Sequence, residues 1–247
     1  MDGEPRFGIS VVTCTVHSRT YKNANLAALD AQAIRRLSPV LLNTLHEMEF
    51  PGTPVERVYF VEEGMASMTT TFQSGSQVEV GPLGAESVVG VFALLGTRLS
   101  FNRVYTQIAG SGFSCSFENA LDEFKRGEVF QSLCLRHAHT QLLHATQSAG
   151  CNARHSIQQR LARWLLTYSD RVDSMVFRIS HDFLADMVGS TRPTVSMVAA
   201  TLKHAGLIRY SRGVITIMDW QGLEGKACEC YRLLHDFFKD MNTVPQN

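Results

Sequence analysis

Residues 177–217 constrain the fold more tightly than any other part of this 247-residue chain. Ser180 can cap a short helix in which Phe183, Leu184, Met187 and Val188 recur at helical spacing. Gly189 supplies a turn, and Ser190 or Thr191 can cap a second helix. Pro193 falls in that helix's first turn, where a missing backbone donor costs little. Val195, Val198, Ala199 and Leu202 form its apolar face, and Gly206 fits the stop position. Leu207 to Tyr210 and Val214 to Ile217 can then pair as strands across Ser211, Arg212 and Gly213. Helix, turn, helix and hairpin in this order read as a winged helix-turn-helix, whose second helix enters the DNA major groove. The alternative is an ordinary helical pair with a hairpin.

With its apolar face inward, the second helix turns Arg192, Ser196, Met197 and Lys203 outward. An arginine near the amino end of such a helix can hold guanine O6 and N7 with two parallel bonds. Arg192 is therefore the first candidate for base readout. Ser196 can reach a base edge or a phosphate, and Met197 offers apolar contact to a thymine methyl. Thr191, Thr194 and Arg212 at the wing tip are placed for phosphate, and Lys203 for phosphate or solvent. In this stretch Arg178, Arg192, Lys203, Arg209 and Arg212 meet only Asp182 and Asp186, in a chain whose net charge is +0. So small a basic excess binds DNA weakly, and two copies are needed for useful affinity.

Between Glu128 and Gly150 the chain has no proline and no internal glycine. Leu135, Ala138, Leu142, Ala145 and Ala149 follow the 3-4-3-4 spacing of a two-helix seam. Phe130, Leu133, Cys134 and Leu143 form a second apolar stripe that can pack on the amino-terminal half. A helix with two apolar faces needs two partners, and one can be another subunit; the alternative is a helix buried within one domain. His137 and His144 share a face while His139 points elsewhere, so these rings read as buried or interfacial groups rather than metal ligands.

Toward the amino terminus, residues 26–36 suggest a short helix. Beyond it the texture changes to short β-rich runs: residues 58–61, 66–72, 77–80 and 105–108. Gly64, Gly75, Gly81-Pro82, Gly84, Gly90, Gly96 and Gly110 punctuate them. The pattern predicts an antiparallel sandwich or barrel with an interior able to hold a small ligand.

The order of β-roll, long central helix and winged helix resembles the Crp/Fnr family of bacterial transcription regulators, over residues 24–225. The resemblance is carried by residues 58–64, by Cys151-Asn152-Ala153-Arg154-His155-Ser156-Ile157-Gln158-Gln159-Arg160-Leu161, and by Gly206-Leu207-Ile208-Arg209-Tyr210-Ser211-Arg212-Gly213. It implies a guanine contact for Arg192. Pro193 and Met197 replace the glutamate and the later arginine of the cyclic-AMP receptor type, which implies a different operator. Cyclic-nucleotide-binding members carry a Gly-Glu pair for the ribose and an arginine followed by serine or threonine for the phosphate. Here Val91 follows Gly90 in the run Gly84-Ala85-Glu86-Ser87-Val88-Val89-Gly90-Val91, and Val104 follows Arg103. The resemblance thus implies a degenerate cyclic-nucleotide-binding-like domain that does not take cyclic AMP. Glu86 and Arg103, with Thr146 on the central helix, are the candidates for contact to some other effector, or Glu86 and Arg103 pair with each other.

The fold class expected is α+β: an N-terminal antiparallel β-roll (a jelly roll), a long central dimerisation helix and a C-terminal winged helix-turn-helix. The divisions are a mobile arm at 1–22, the roll at 23–126, the helix at 127–151 and the DNA-binding part at 152–247. Cys14, Cys115, Cys134, Cys151, Cys228 and Cys230 read as reduced thiols. Cys14 alone in the arm cannot gather a cluster, and Cys228 and Cys230 on one helix would diverge. Residues 221–239, with Leu223, Tyr231, Leu234, Phe237 and Phe238, suggest one final helix. No catalytic set, metal site or cofactor is expected. Neither a membrane span nor a secretory core is legible, so the expected location is the cytoplasm. The expected partners are double-stranded DNA and a second copy of the chain, with RNA polymerase and a small-molecule effector as further candidates. A homodimeric, sequence-specific regulator is the leading reading; an enzyme or a protein-interaction module built on the roll are the rivals.

Overall fold

The structure, a computed structural model, describes residues 21–243 and their side chains as far as residue 237. Most of the expected arm, with Cys14, and the side chain of Phe238 at the other end lie outside what is described. Two short helices come first, α1 (Ala24–Ala27) and α2 (Ala31–Arg35), in place of the single helix expected over residues 26–36. The break has a local cause. Asp30 accepts from the backbone N–H groups of Gln32 and Ala33 at 2.8 and 2.7 Å, so the chain leaves the helix and restarts it there.

Strands β1 (Ser38–Leu42), β2 (Glu47–Glu49), β3 (Arg57–Thr71), β4 (Gln77–Leu83) and β5 (Val88–Val89) follow, then the short α3 (Val91–Leu94) and β6 (Arg103–Ser116). They form one antiparallel sheet in the order β1-β6-β3-β4, with β2 also on β6 and β5 on β3. Instead of many short strands, β3 and β6, of 15 and 14 residues, do most of the pairing. Gly81-Pro82 and Gly110, expected between strands, lie inside β4 and β6. The β3–β6 register shifts around Glu63 and Met65, where Gly64 takes a φ of 81°. A Cβ on Gly64 would strike the Ile108 carbonyl, and one on Gly110 would strike that of Glu63. These glycines therefore bend a long strand pair rather than end it. Along β3, Val58 and Phe60 enter one apolar cluster with α2 and the helices after the sheet, while Tyr59 and Val61 enter the roll's other cluster with Leu42, Met68 and Leu83. That alternation is the period of two that a strand imposes.

α4 (Phe117–Lys125) leads into α5 (Val129–Arg154), which buries Phe130, Leu133, Cys134, His137, His144 and Cys151. Leu135 and Leu142 on the predicted seam are 51% and 63% exposed. α6 (Ile157–Val172) opens with a reciprocal capping box between Ser156 and Gln159. Then come β7 (Val176–Arg178), α7 (His181–Met187), α8 (Arg192–His204), β8 (Ile208–Ser211) and β9 (Val214–Ile217), the strands pairing in the order β7-β9-β8. α9 (Trp220–Glu224) and α10 (Cys230–Thr243) replace the single final helix expected over residues 221–239. Cys228 lies in the link between them, so it and Cys230 do not share a helix, and the expectation that they diverge fails: both thiols enter one buried cluster with Cys151.

The winged part is seated on the roll. Met65 of β3 is buried in the same apolar core as Leu161, Leu165, Leu184 and Val195. Glu79 of β4 accepts from Trp164 Nε1 and from Ser67 Oγ, and burial pushes its carboxyl above the usual range against those hydrogen bonds.

Candidate nucleic-acid interface and effector cavity

α8 is placed by its buried face. Val195, Ala199 and Leu202 are all but sealed from solvent, at 0, 2 and 1% exposure, against α6 and α7. Ser180 caps α7, accepting from Phe183 N at 3.1 Å, and Gly189 turns the chain with a φ of 59°. Of the two candidate caps for α8 the position falls to Thr191, yet its hydroxyl does not cap. It pairs instead with Thr194 Oγ1 at 2.9 Å. Thr191, Arg192, Met197 and Lys203 are exposed, and Thr194 and Ser196 are half-buried. Arg192 lies 3.5 Å from Asp182 of α7. Ser196 Oγ is 2.7 Å from His181 Nδ1, and that ring stacks on Tyr210 of β8 at 4.2 Å. The stack ties α7, α8 and the wing together beneath the outer face. At the wing tip Arg212 and Gly213 take φ values of 49° and 75°, the sign pair of a tight two-residue hairpin, and Arg212 is exposed. The seven residues expected to face DNA lie on α8, its cap or the wing.

The three candidate effector residues do not meet. Glu86 pairs with Arg171 of α6 at 3.0 Å, not with Arg103. Arg103 pairs with Glu47 of β2 and lies over the Tyr105 ring at 4.6 Å. Thr146 is exposed and donates to the Leu142 carbonyl of its own helix. The alternative that Glu86 and Arg103 pair fails because each is engaged elsewhere, Glu86 by Arg171 and Arg103 by Glu47. Glu86 instead borders a cavity of about 500 Å³, lined also by His144, Thr167, Asp170, Arg171 and Tyr231. Burial alone would raise its carboxyl, but the Arg171 charge and hydrogen bonds hold it below the usual value. The same burial, with Arg171 and Arg163 near, drives the His144 ring down to about 3, and burial drives His137 down to about 4. Sequence reasoning missed Arg171 and Glu79. Both are charged residues whose partners are 85 positions away, and no local spacing marks such a pair.

A family model described as a Crp-like helix-turn-helix domain matches residues 159–225. The global nitrogen regulator of a Nostoc species is 27% identical over 179 residues, covering 68% of this chain and 79% of that protein. The global nitrogen regulator of a Synechocystis species is 26% identical, covering 78% of this chain and 91% of its own. Among solved structures, a Crp/Fnr-family transcriptional regulator of Thermus thermophilus superposes with a TM-score of 0.67 at 23% identity, over 77% of this chain and 98% of that one. FixK2 of Bradyrhizobium japonicum gives 0.66 at 18%, over 78% and 98%. A roll, a long helix and a winged helix-turn-helix with an open recognition face, matched by regulators along most of their length, define a DNA-binding transcription regulator and not an enzyme. Residues 159–225 carry a Crp-like helix-turn-helix domain, and the chain as a whole is similar to Crp/Fnr-family regulators. Among the described residues no helix is long and apolar enough to cross a membrane.

Proposed function

We propose that two copies of this chain pair along α5 and read two half-sites through α8, with a signal entering at the cavity between roll and winged part. The observation that carries this is the pairing of two open faces. α8 leaves Arg192, Met197 and Lys203 to solvent, and α5 leaves Leu135 and Leu142 to solvent on a regular seam. In this reading Arg192 contacts guanine, Met197 a thymine methyl, Ser196 a base edge or phosphate, and Thr191, Thr194, Lys203 and Arg212 hold phosphates. The parts divide as arm, 1–22; roll, 23–126; dimer helix, 127–151; and DNA-binding part, 152–247. The role places the protein with the chromosome in the cytoplasm, where RNA polymerase is its working neighbour.

Cyclic AMP is not the signal in this proposal. Val91 and Val104 are each 1% exposed, and Arg103 is committed to Glu47, so neither the sugar nor the phosphate has its partner. The cavity with Glu86 and Arg171 is the better candidate. Binding-site selection with the full chain should recover a two-fold symmetric sequence with half-sites about 10 base pairs apart. Cyclic AMP should give no calorimetric heat. An asymmetric single site, or micromolar cyclic-AMP binding, would overturn the respective half of this reading.

A further inference from the structure

Away from the DNA face and the cavity, three cysteines and a histidine meet where α5 hands over to α6. Cys151 stands in the last turn of α5, and His155 is its C-cap, four residues on and on the same side of the helix. Opposite them the α9–α10 link brings in Cys228, and Cys230 opens α10. Cys151, Cys228 and Cys230 are 0, 4 and 1% exposed. Cys151 Sγ lies 3.5 Å from Cys228 Sγ, and Cys230 Sγ lies 3.6 Å from His155 Nδ1. All four donor atoms fall within 4.8 Å of one another.

We infer that Cys151, His155, Cys228 and Cys230 form a mononuclear binding site for a tetrahedral divalent ion of the zinc class. Bonds of about 2.3 Å to sulfur and about 2.0 Å to nitrogen put tetrahedral ligands about 3.8 Å apart, sulfur to sulfur, and about 3.5 Å apart, sulfur to nitrogen. The Cys151–Cys228 and Cys230–His155 separations lie within about 0.3 Å of those edges, and no donor is more than 4.8 Å from another. An iron–sulfur cluster spreads its ligands over two or more irons and needs those on different irons farther apart than these four donors are. Soft thiolates with an imidazole also select this class of ion over magnesium or calcium.

The surroundings fit a ligand shell. His155 turns Nδ1 toward the thiols and sets Nε2 3.3 Å from a Glu229 carboxylate oxygen, which fixes the tautomer and strengthens a metal-bound ring. Gln147 Nε2 donates to Cys230 Sγ at 2.9 Å. Three thiolates and a divalent ion leave one net negative charge, which the nearby Arg160 and Arg163 offset. Binding displaces the thiol protons to solvent and moves no electrons. The ion pins α10 to the joint between α5 and α6, which sets the angle of the winged part against the central helix.

The full chain, purified under reducing conditions, should carry stoichiometric zinc. Cobalt(II) exchanged for it should give a thiolate-to-cobalt charge-transfer band and the strong visible bands of a tetrahedral ion. Cys228→Ser and Cys230→Ser should lose both, and Cys134→Ser, at a buried cysteine outside the cluster, should keep them. Glu229→Gln alters only the outer partner, leaves the fold intact and should weaken zinc binding about 10–100-fold. Reduced protein that takes up neither ion overturns the site. So does iron–sulfur absorption, or an affinity unmoved in all three cluster variants.

Discussion

Arg192 is held loosely. Its guanidinium lies 3.5 Å from Asp182, with the two side chains 66% and 64% exposed, an arrangement worth little in water. Leaving Asp182 for a guanine therefore costs almost nothing, and the planar fork gains two charge-assisted bonds. Arg192→Ala should cost about 1–3 kcal/mol per base contact and erase the preference at one position in each half-site. Selection from a randomised operator library measures this directly. A variant that recovers the wild-type sequence logo would remove Arg192 from the reading role. Ser196 is a weaker reader, because His181 already engages its hydroxyl and a turn toward a base would have to give up or share that bond.

At the scale of elements, α5 shows what a buried polar face implies for pH. His137 Nε2 accepts from Val88 N at 3.3 Å, and His144 Nδ1 lies 3.1 Å from the Val80 carbonyl. Burial lowers the two rings from 6.5 to about 4 and about 3, with Glu86 opposing the shift at His137 and Arg171 and Arg163 reinforcing it at His144. As pH falls below 6.5 the unfolded chain takes up protons that the folded chain refuses. Stability is therefore full above that value and is lost downward toward about 4. Each ring contributes a slope of about 1.4 kcal/mol per pH unit in this window. Denaturant midpoints measured across the window should show it, and His137→Gln, which can still accept from Val88, should remove one ring's share of the slope. An unchanged slope would mean that these rings are not its source.

The helix faces of α5 and α8 were legible in sequence because a period of 3.6 is written locally by residues such as Val195, Ala199 and Leu202. The wing was legible for the same reason, its turn being set by adjacent residues. The long β3–β6 pair was not, since Gly64 and Gly110 are turn signals by composition and acquire their meaning only from the opposing strand. Nor were the partners of Glu86, the Glu79–Trp164 contact or the meeting of Cys151 with Cys228. Each joins positions 77 to 85 residues apart, and only the closed fold brings them together.

For the whole molecule, the deciding surface is the α5 seam. Leu135 and Leu142 stand open, and the residues that α10 covers or approaches on α5, namely His139, Gln147 and Cys151, lie off that line. Among the described residues, the terminal helix thus leaves Leu135 and Leu142 open, as the proposed pairing requires. In the proposed pairing the two α5 helices run parallel along a two-fold axis, which brings each seam residue close to its own mate; Leu142→Glu then sets two carboxylates against each other with one substitution, and an exposed site in the single chain tolerates it. Sedimentation should find the wild type as a dimer and this variant as a monomer of unchanged secondary structure. A monomer engages half the phosphates, so its slope of log affinity against log salt should fall to about half. A Leu142→Glu protein that remains a dimer with the full salt slope would move the interface off α5. A monomer that keeps the full slope would instead mean that one copy makes all the phosphate contacts, which the few basic residues around α8 and the wing are too sparse to supply.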